Sequence, residues 1–121
     1  MLTVGDKFPG FALTAVNGTD PTKAFEPVSN ASYAGKWMVV FAWPKDFTFV
    51  CPTEIVGFDA VADEFHDRDA QLLGMSVDSD YVHLAWRQSR KDLRKVSFPW
   101  LADHKRELST ALGILDEKDG V

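Results

Sequence analysis

Apolar positions along the chain change rhythm repeatedly, and each change marks an element. Phe11 to Val16 reads as a short strand, followed by Asn17-Gly18, a strong tight-turn dipeptide. Thr19 to Gly35 is rich in turn formers, with Pro21, Pro27, Asn30 and Gly35, and reads as a surface-wrapping connection. Trp37 to Ala42 lacks polar alternation, which predicts a strand buried on both faces in the middle of a helix-covered sheet. Pro44 ends this run. From Thr53 to His66 the rhythm becomes helical, with Ile55, Phe58, Ala62 and Phe65 on one face.

Gln71 to Val77 is the next strand, and Asp78, Ser79 and Asp80 offer N-cap chemistry for a helix from about Tyr81 to Leu93. Phe98 to Ala102 reads as a short strand, with Pro99 favouring its edge or first position. Lys105 to Leu112 reads as a helix closed by Gly113, the usual place for a left-handed residue. Strands alternating with helices give an α/β sheet with parallel neighbours. Gly113-Ile114-Leu115 then reads as the start of a strand, and Asp119-Gly120 as a hairpin turn with Val121 beginning the return. A half-written hairpin leaves a sheet edge unpaired. The expectation is one domain spanning residues 1–121, incomplete at its C-terminus, with a frayed tail as the alternative.

Composition narrows the function classes. At 121 residues, with 45% hydrophobic and 26% charged positions, the chain can build a real core. The net charge of −5 and the lack of a basic run disfavour a nucleic-acid surface. The longest apolar run is far shorter than the roughly 20 residues that span a bilayer, so no membrane partner is expected. Met1 to Gly10 lacks a signal-peptide pattern, and one cysteine allows no internal disulfide framework, so the expected location is cytoplasmic.

That one cysteine is Cys51, placed between the apolar run and the helix. A lone cysteine is commonly a small buried hydrophobe. The first turn of a helix, however, offers unpaired N–H groups and a dipole that favour a thiolate. Pro44 and Thr48 stand upstream as Pro-x-x-x-Thr-x-x-Cys. A hydroxyl at Thr48 can donate and accept hydrogen bonds, and so can steer a peroxide oxygen and a thiolate together. Pro44 has a fixed φ and no N–H, so it can roof such a site without adding a competing donor.

The stretch Trp43-Pro44-Lys45-Asp46-Phe47-Thr48-Phe49-Val50-Cys51-Pro52-Thr53-Glu54 closely resembles the active-site loop of 2-Cys peroxiredoxins, most of all the alkyl hydroperoxide reductase C-subunit branch. The similarity extends to Val4-Gly5-Asp6-Lys7-Phe8-Pro9, Ser76-Val77-Asp78-Ser79, His83-Leu84-Ala85-Trp86 and Phe98-Pro99, nearly the whole chain. The resemblance implies a thioredoxin-like fold, a mixed central sheet flanked by helices, and reduction of hydrogen peroxide or organic hydroperoxides. Cys51 matches the peroxidatic cysteine, Thr48 and Pro44 the pocket residues, and Glu54 the carboxylate that helps hold a catalytic arginine. It also implies a thiol or disulfide reductase as electron donor, a homodimer or ring of dimers, and no cofactor.

Two family parts have no match within the 121 residues: the catalytic arginine, which the family carries just beyond the position of Val121, and the resolving cysteine. Arg68, Arg87, Arg90, Arg94 and Arg106 do not match that arginine. Its weight can be gauged in general terms. Lowering a thiol from ~8.5 to ~6 takes about 3.4 kcal/mol, whereas a helix N-terminus supplies roughly 0.3–1 and at most about 2.

Other candidates read more plainly. His66, His83 and His104 share no ligand spacing with one another or with Cys51, so no metal site is expected. His66 reads as a solvated helix end, Trp86 as a packing aromatic near the loop, and Arg87 to Lys95 as a solvated helix face. A thioredoxin-type exchanger would need Cys-x-x-Cys, and the second position here is Glu54. The remaining alternative to a peroxidase is an inactive fragment with an assembly or chaperone-like role.

Overall fold

A computed structural model describes residues 2–48 and 51–121. Five strands form one mixed sheet: β1 (Ala12–Val16), β2 (Phe25–Ser29), β3 (Trp37–Ala42), β4 (Ala70–Ser76) and β5 (Trp100–Ala102), in the order β2-β1-β5-β4-β3. β3, β4 and β5 run parallel, and β1 pairs antiparallel with both β2 and β5. The helices are α1 (Cys51–Ala60), α2 (Ala62–Asp67), α3 (Asp80–Ser89) and α4 (Glu107–Leu112). None among the described residues is long and apolar enough to cross a membrane.

The period of two along each strand sorts side chains into two cores. Val39 and Phe41 of β3, Leu72 of β4 and Trp100 of β5 join Trp43, Cys51, Ile55, Trp86 and Phe98 on one face. Met38 and Val40, Leu73 and Met75, and Leu101 face the other way, against Leu108 and Phe8. The predicted stripe on the first helix holds: Ile55 and Ala62 are buried, and Phe58 and Phe65 pack against the same core. The helix itself divides at Val61, where φ is −112° and ψ 11°.

Several expectations need correction. Trp37–Ala42 is a strand with side chains in both cores, but it pairs only with β4 among the described residues, and Trp37 is 76% exposed. The expected burial on both faces is not met: Met38 to Phe41 are only partly buried, and Trp37 and Ala42 are exposed; an apolar run carries no information on whether a strand has one hydrogen-bonded neighbour or two. The turn-rich segment contains β2, whose Pro27 lies opposite Thr14 on an outer strand, where a missing N–H costs no ladder bond. β5, by contrast, lies inside the sheet, and Pro99 stands just before it.

α3 stops at Ser89 instead of Leu93, with Arg90 in extended geometry. Its start is as expected, Ser79 Oγ accepting from Val82 N at 3.3 Å. α4 ends at Gly113 with φ 74°, and Ile114 N reaches Ser109 O at 3.2 Å, a Schellman closure. The strand predicted from Gly113 does not form. Asp116 Oδ1 accepts from Lys118 N at 2.9 Å, Asp116 N donates to Val121 O at 2.8 Å, and Arg106 Nε donates to Gly120 O at 2.6 Å. An Asx turn satisfies the backbone locally and competes with an extended strand.

Candidate active site

Cys51 opens α1 and is 7% exposed, packed among Trp43, Ile55 and Trp86. The structure therefore combines both readings of the thiol: it is a core member and it stands at a helix start. Glu54 lies in the same first turn, exposed, beside a shallow groove of about 510 Å³ that also touches Phe41 and Phe58. Pro44 is exposed and borders a separate apolar cavity of about 310 Å³ with Trp43, Met75 and Ile114. Thr48 is half-buried and its Oγ1 donates to Lys45 O at 3.1 Å. Pro44 and Thr48 thus share one loop, and Cys51 and Glu54 share one helical turn. No described cavity collects all four. Phe49 and Val50, which join the two pairs in the motif, lie outside the described residues.

The loop is held by a buried polar network that the sequence pattern did not announce. Asp46 is 7% exposed, and its Oδ1 accepts from Trp43 Nε1 at 2.8 Å. Its Oδ2 lies 2.5 Å from Nδ1 of His83, which is fully buried and whose Nε2 faces Leu101 O at 2.9 Å. Asp46 N donates to Asp78 Oδ2 at 2.7 Å, and Ser76 Oγ donates to the same oxygen at 3.0 Å. The signal was present in the chain: residues 83, 84, 86 and 87 form one helical face, and all four are buried. Trp86 packs into this region as expected, its ring centroid 6.4 Å from that of Trp43 and 5.9 Å from that of Phe47.

The same face corrects the reading of Arg87, which is fully buried instead of solvated. Its guanidinium donates to Val16 O at 2.8 Å, to Phe98 O at 3.2 Å and to Val96 O, and lies 4.6 Å from the Trp100 ring centroid. Burial pushes its pKa down to about 10, opposed by the nearby Asp59 charge. The other arginines are also engaged: Arg68 with Glu64 O, Arg90 with Asp92, Arg94 with Gln88 O and Arg106 with Gly120 O. Each of the five is thus turned to a partner other than Cys51.

Residues 4–121 match the model of the AhpC/TSA family. Alkyl hydroperoxide reductase C of Mycobacterium tuberculosis H37Rv is 51% identical, with all of this chain aligned and 66% of that protein covered. Peroxiredoxin-2 of Bos taurus is 46% identical over 98% of this chain and 59% of its own length. The chain thus spans slightly less than two thirds of these relatives. The structure of M. tuberculosis AhpC superposes with a TM-score of 0.89 at 51% identity, over 99% of this chain and 71% of that one. A reduced 2-Cys peroxiredoxin of Plasmodium vivax gives 0.85 at 35% identity, over 95% and 71%. Fold, motif and sequence agree across both helix-covered faces of the sheet, so the thioredoxin-like expectation stands and the chain belongs to the AhpC/TSA family.

Proposed function

We infer that this chain carries the peroxide-reacting half of a thiol-dependent peroxidase acting on hydrogen peroxide and organic hydroperoxides. The observation that carries this reading is Cys51 at the start of α1, directly after the Pro44–Thr48 loop, in a family member with that motif intact. The Cys51 thiolate attacks the terminal oxygen of ROOH. The S–O bond forms as the O–O bond breaks, the leaving oxygen takes a proton to give water or an alcohol, and Cys51 becomes a sulfenic acid. Thr48 swings its hydroxyl from Lys45 O to the peroxide, donating to one oxygen while accepting from the other. Pro44 limits water access beside it.

The chain contains a single cysteine, so the second thiol that condenses with the sulfenic acid comes from outside these 121 residues. That condensation releases water and leaves a disulfide, which a thiol or disulfide reductase returns to two thiols. Glu54 is positioned at the helix start to hold a cation brought to the thiolate. A homodimer or ring of dimers fits the family and is part of the proposal.

The test is direct. The 121-residue chain is treated with hydrogen peroxide and a sulfenic-acid trap, then weighed. The expected result is one adduct on Cys51, lost in Cys51→Ser and slowed about a hundredfold or more in Thr48→Val, as loss of a positioned reactant contact predicts. Adduct formation that persists in Cys51→Ser, or an unreactive thiol in the unmodified chain, would overturn the reading.

A further inference from the structure

Among the described residues, the loop that carries Pro44 and Thr48 has few hydrogen-bonded ties to the rest of the molecule, and its one aromatic contact is Phe47 with Trp86. Pro44 and Thr48 are both solvent-accessible, and Thr48's described hydrogen bond stays within the loop. Among the described residues, every hydrogen bond from positions 44–48 to the rest of the molecule runs through Asp46. That one residue reaches the end of β3 through Trp43, the end of β4 through Ser76 and Asp78, and α3 through His83. His83 extends the tie to β5 through Leu101 O. Immediately after Asp46 the backbone turns left-handed at Phe47, φ 59°, a strained conformation for a bulky residue that persists only where its surroundings impose it.

Proton accounting defines the link. A carbonyl oxygen only accepts, so His83 Nε2 must carry a hydrogen toward Leu101 O. The 2.5 Å contact between Nδ1 and Asp46 Oδ2 then needs one further proton, whether it sits on the ring or on the carboxyl group. The pair is therefore electrically neutral as a unit, which is how two ionisable groups are tolerated at nearly complete burial. The other charged group at the network is Asp78, whose Oδ2 is already occupied by Asp46 N and Ser76 Oγ. Trp43 and Trp100 supply the apolar walls, with ring centroids 5.9 and 5.6 Å from the imidazole.

We propose that Asp46 and His83 are positioning residues for the peroxide site: their shared proton fixes the Asp46 carboxylate, and Asp46 fixes the loop that presents Pro44 and Thr48 to the hydroperoxide. Neither touches the reacting atoms. The kinetic part of this inference rests on the peroxidase reading above; the structural part does not.

Two kinds of measurement test it on the 121-residue chain. Nitrogen-15 NMR of the unmodified chain should show a strongly deshielded proton in the His83–Asp46 contact and a second, ordinary proton on Nε2. A His83 ring with a freely exchanging Nδ1 and no such proton overturns the pairing. Asp46→Asn keeps the geometry without the shared proton, since its amide can donate to a neutral Nδ1 while its oxygen accepts from Trp43. Asp46→Ala removes the link. Exchange of the Asp46 amide, read at the same position, should accelerate about tenfold or more in the Ala variant, the worth of one buried hydrogen bond, and stay near the unmodified rate in Asn.

The rate of peroxide oxidation at Cys51 should fall about a hundredfold in Asp46→Ala and be largely restored in Asn. Alkylation by iodoacetamide, which needs no peroxide pocket, should stay near the unmodified value in both. Equal losses of peroxide and iodoacetamide reactivity would make Asp46 a general stability residue and overturn the proposal. If Asp46→Ala does not fold, the Asn variant and the ring-nitrogen spectrum decide it. A chain that never reacts with peroxide defeats the peroxidase reading alone, and the exchange and NMR results still judge the pair.

Discussion

Gly74→Ala tests how tightly the loop anchor is packed. Gly74 lies in β4, and a Cβ there would sit 2.5 Å from Cζ3 and 2.7 Å from Cη2 of Trp43, and 3.2 Å from Cε2 of Phe98. Carbon atoms rest at about 3.5–4.0 Å, so the indole must retreat by roughly 1 Å. It has little room, because the rings of Phe41, Trp100 and His83 lie 5.5, 5.3 and 5.9 Å from it. A retreat of that size stretches the 2.8 Å bond from Trp43 Nε1 to Asp46 beyond hydrogen-bond range. Overpacking costs about 1–3 kcal/mol, and leaving the buried indole N–H without its acceptor about 1–3. Replacing a strand glycine returns roughly 0.5–1.

The expected net loss is therefore about 1–5 kcal/mol, read as a lower denaturant midpoint by tryptophan fluorescence. A slower peroxide reaction should accompany it. Gly57→Ala is the matched control: it lies exposed in α1, a Cβ added there would meet nothing within 4 Å, and the change should gain about 0.5–1 kcal/mol. A Gly74→Ala chain as stable as the unmodified one, with the same peroxide rate, would refute the packing argument.

Other expectations follow from the buried polar groups. Arg87→Met relieves a burial cost of about 3 kcal/mol, the downward shift to about 10 converted at ~1.36 per unit, but forfeits three charge-assisted bonds worth about 1.5–3 each. The net is a loss of about 3 kcal/mol in urea unfolding near neutral pH. The pH dependence has a definite sign. The folded state gives up the Arg87 proton before the unfolded state does, so unmodified stability gains relative to Arg87→Met as pH rises above about 10. A gap that narrows over that rise would contradict it. Asp103→Ala strips the acceptor from Leu108 N, Ser109 N and Ser109 Oγ, at 3.1, 2.7 and 2.5 Å, and should cost about 3–5 kcal/mol, seen as loss of α4 protection in hydrogen exchange.

The parts legible in the sequence were those governed by side-chain periodicity and local capping. Ile55, Phe58, Ala62 and Phe65 share a core because helical spacing requires it, and Ser79 caps α3 because its hydroxyl can reach Val82 N. β2 escaped because Pro27 reads as a turn former, and only its pairing with β1 makes it a strand. β3's place in the sheet escaped because hydrogen-bond neighbours leave no trace in a run of apolar residues. The motif located Cys51 and its companions, whereas the network beneath them was hidden by residue type. Asp46, His83 and Arg87 look solvated until tertiary contacts supply their partners. The helical face at 83, 84, 86 and 87 was the available signal, and the charges along that helix masked it.

β3 has one more consequence, for handling rather than catalysis. Trp37-Met38-Val39-Val40-Phe41-Ala42 is six residues without charge, proline or glycine, in a strand paired on one side only among the described residues. Those are the attributes of a segment that can stack into a cross-β zipper. Concentrated solutions of this chain should gel or form thioflavin-positive fibrils from that edge. A lysine at the exposed Trp37 should act as a gatekeeper and delay fibril growth without touching the peroxide loop. Colloidal shelf life, and not only chemistry, is thus written into the same strand that leads to Cys51.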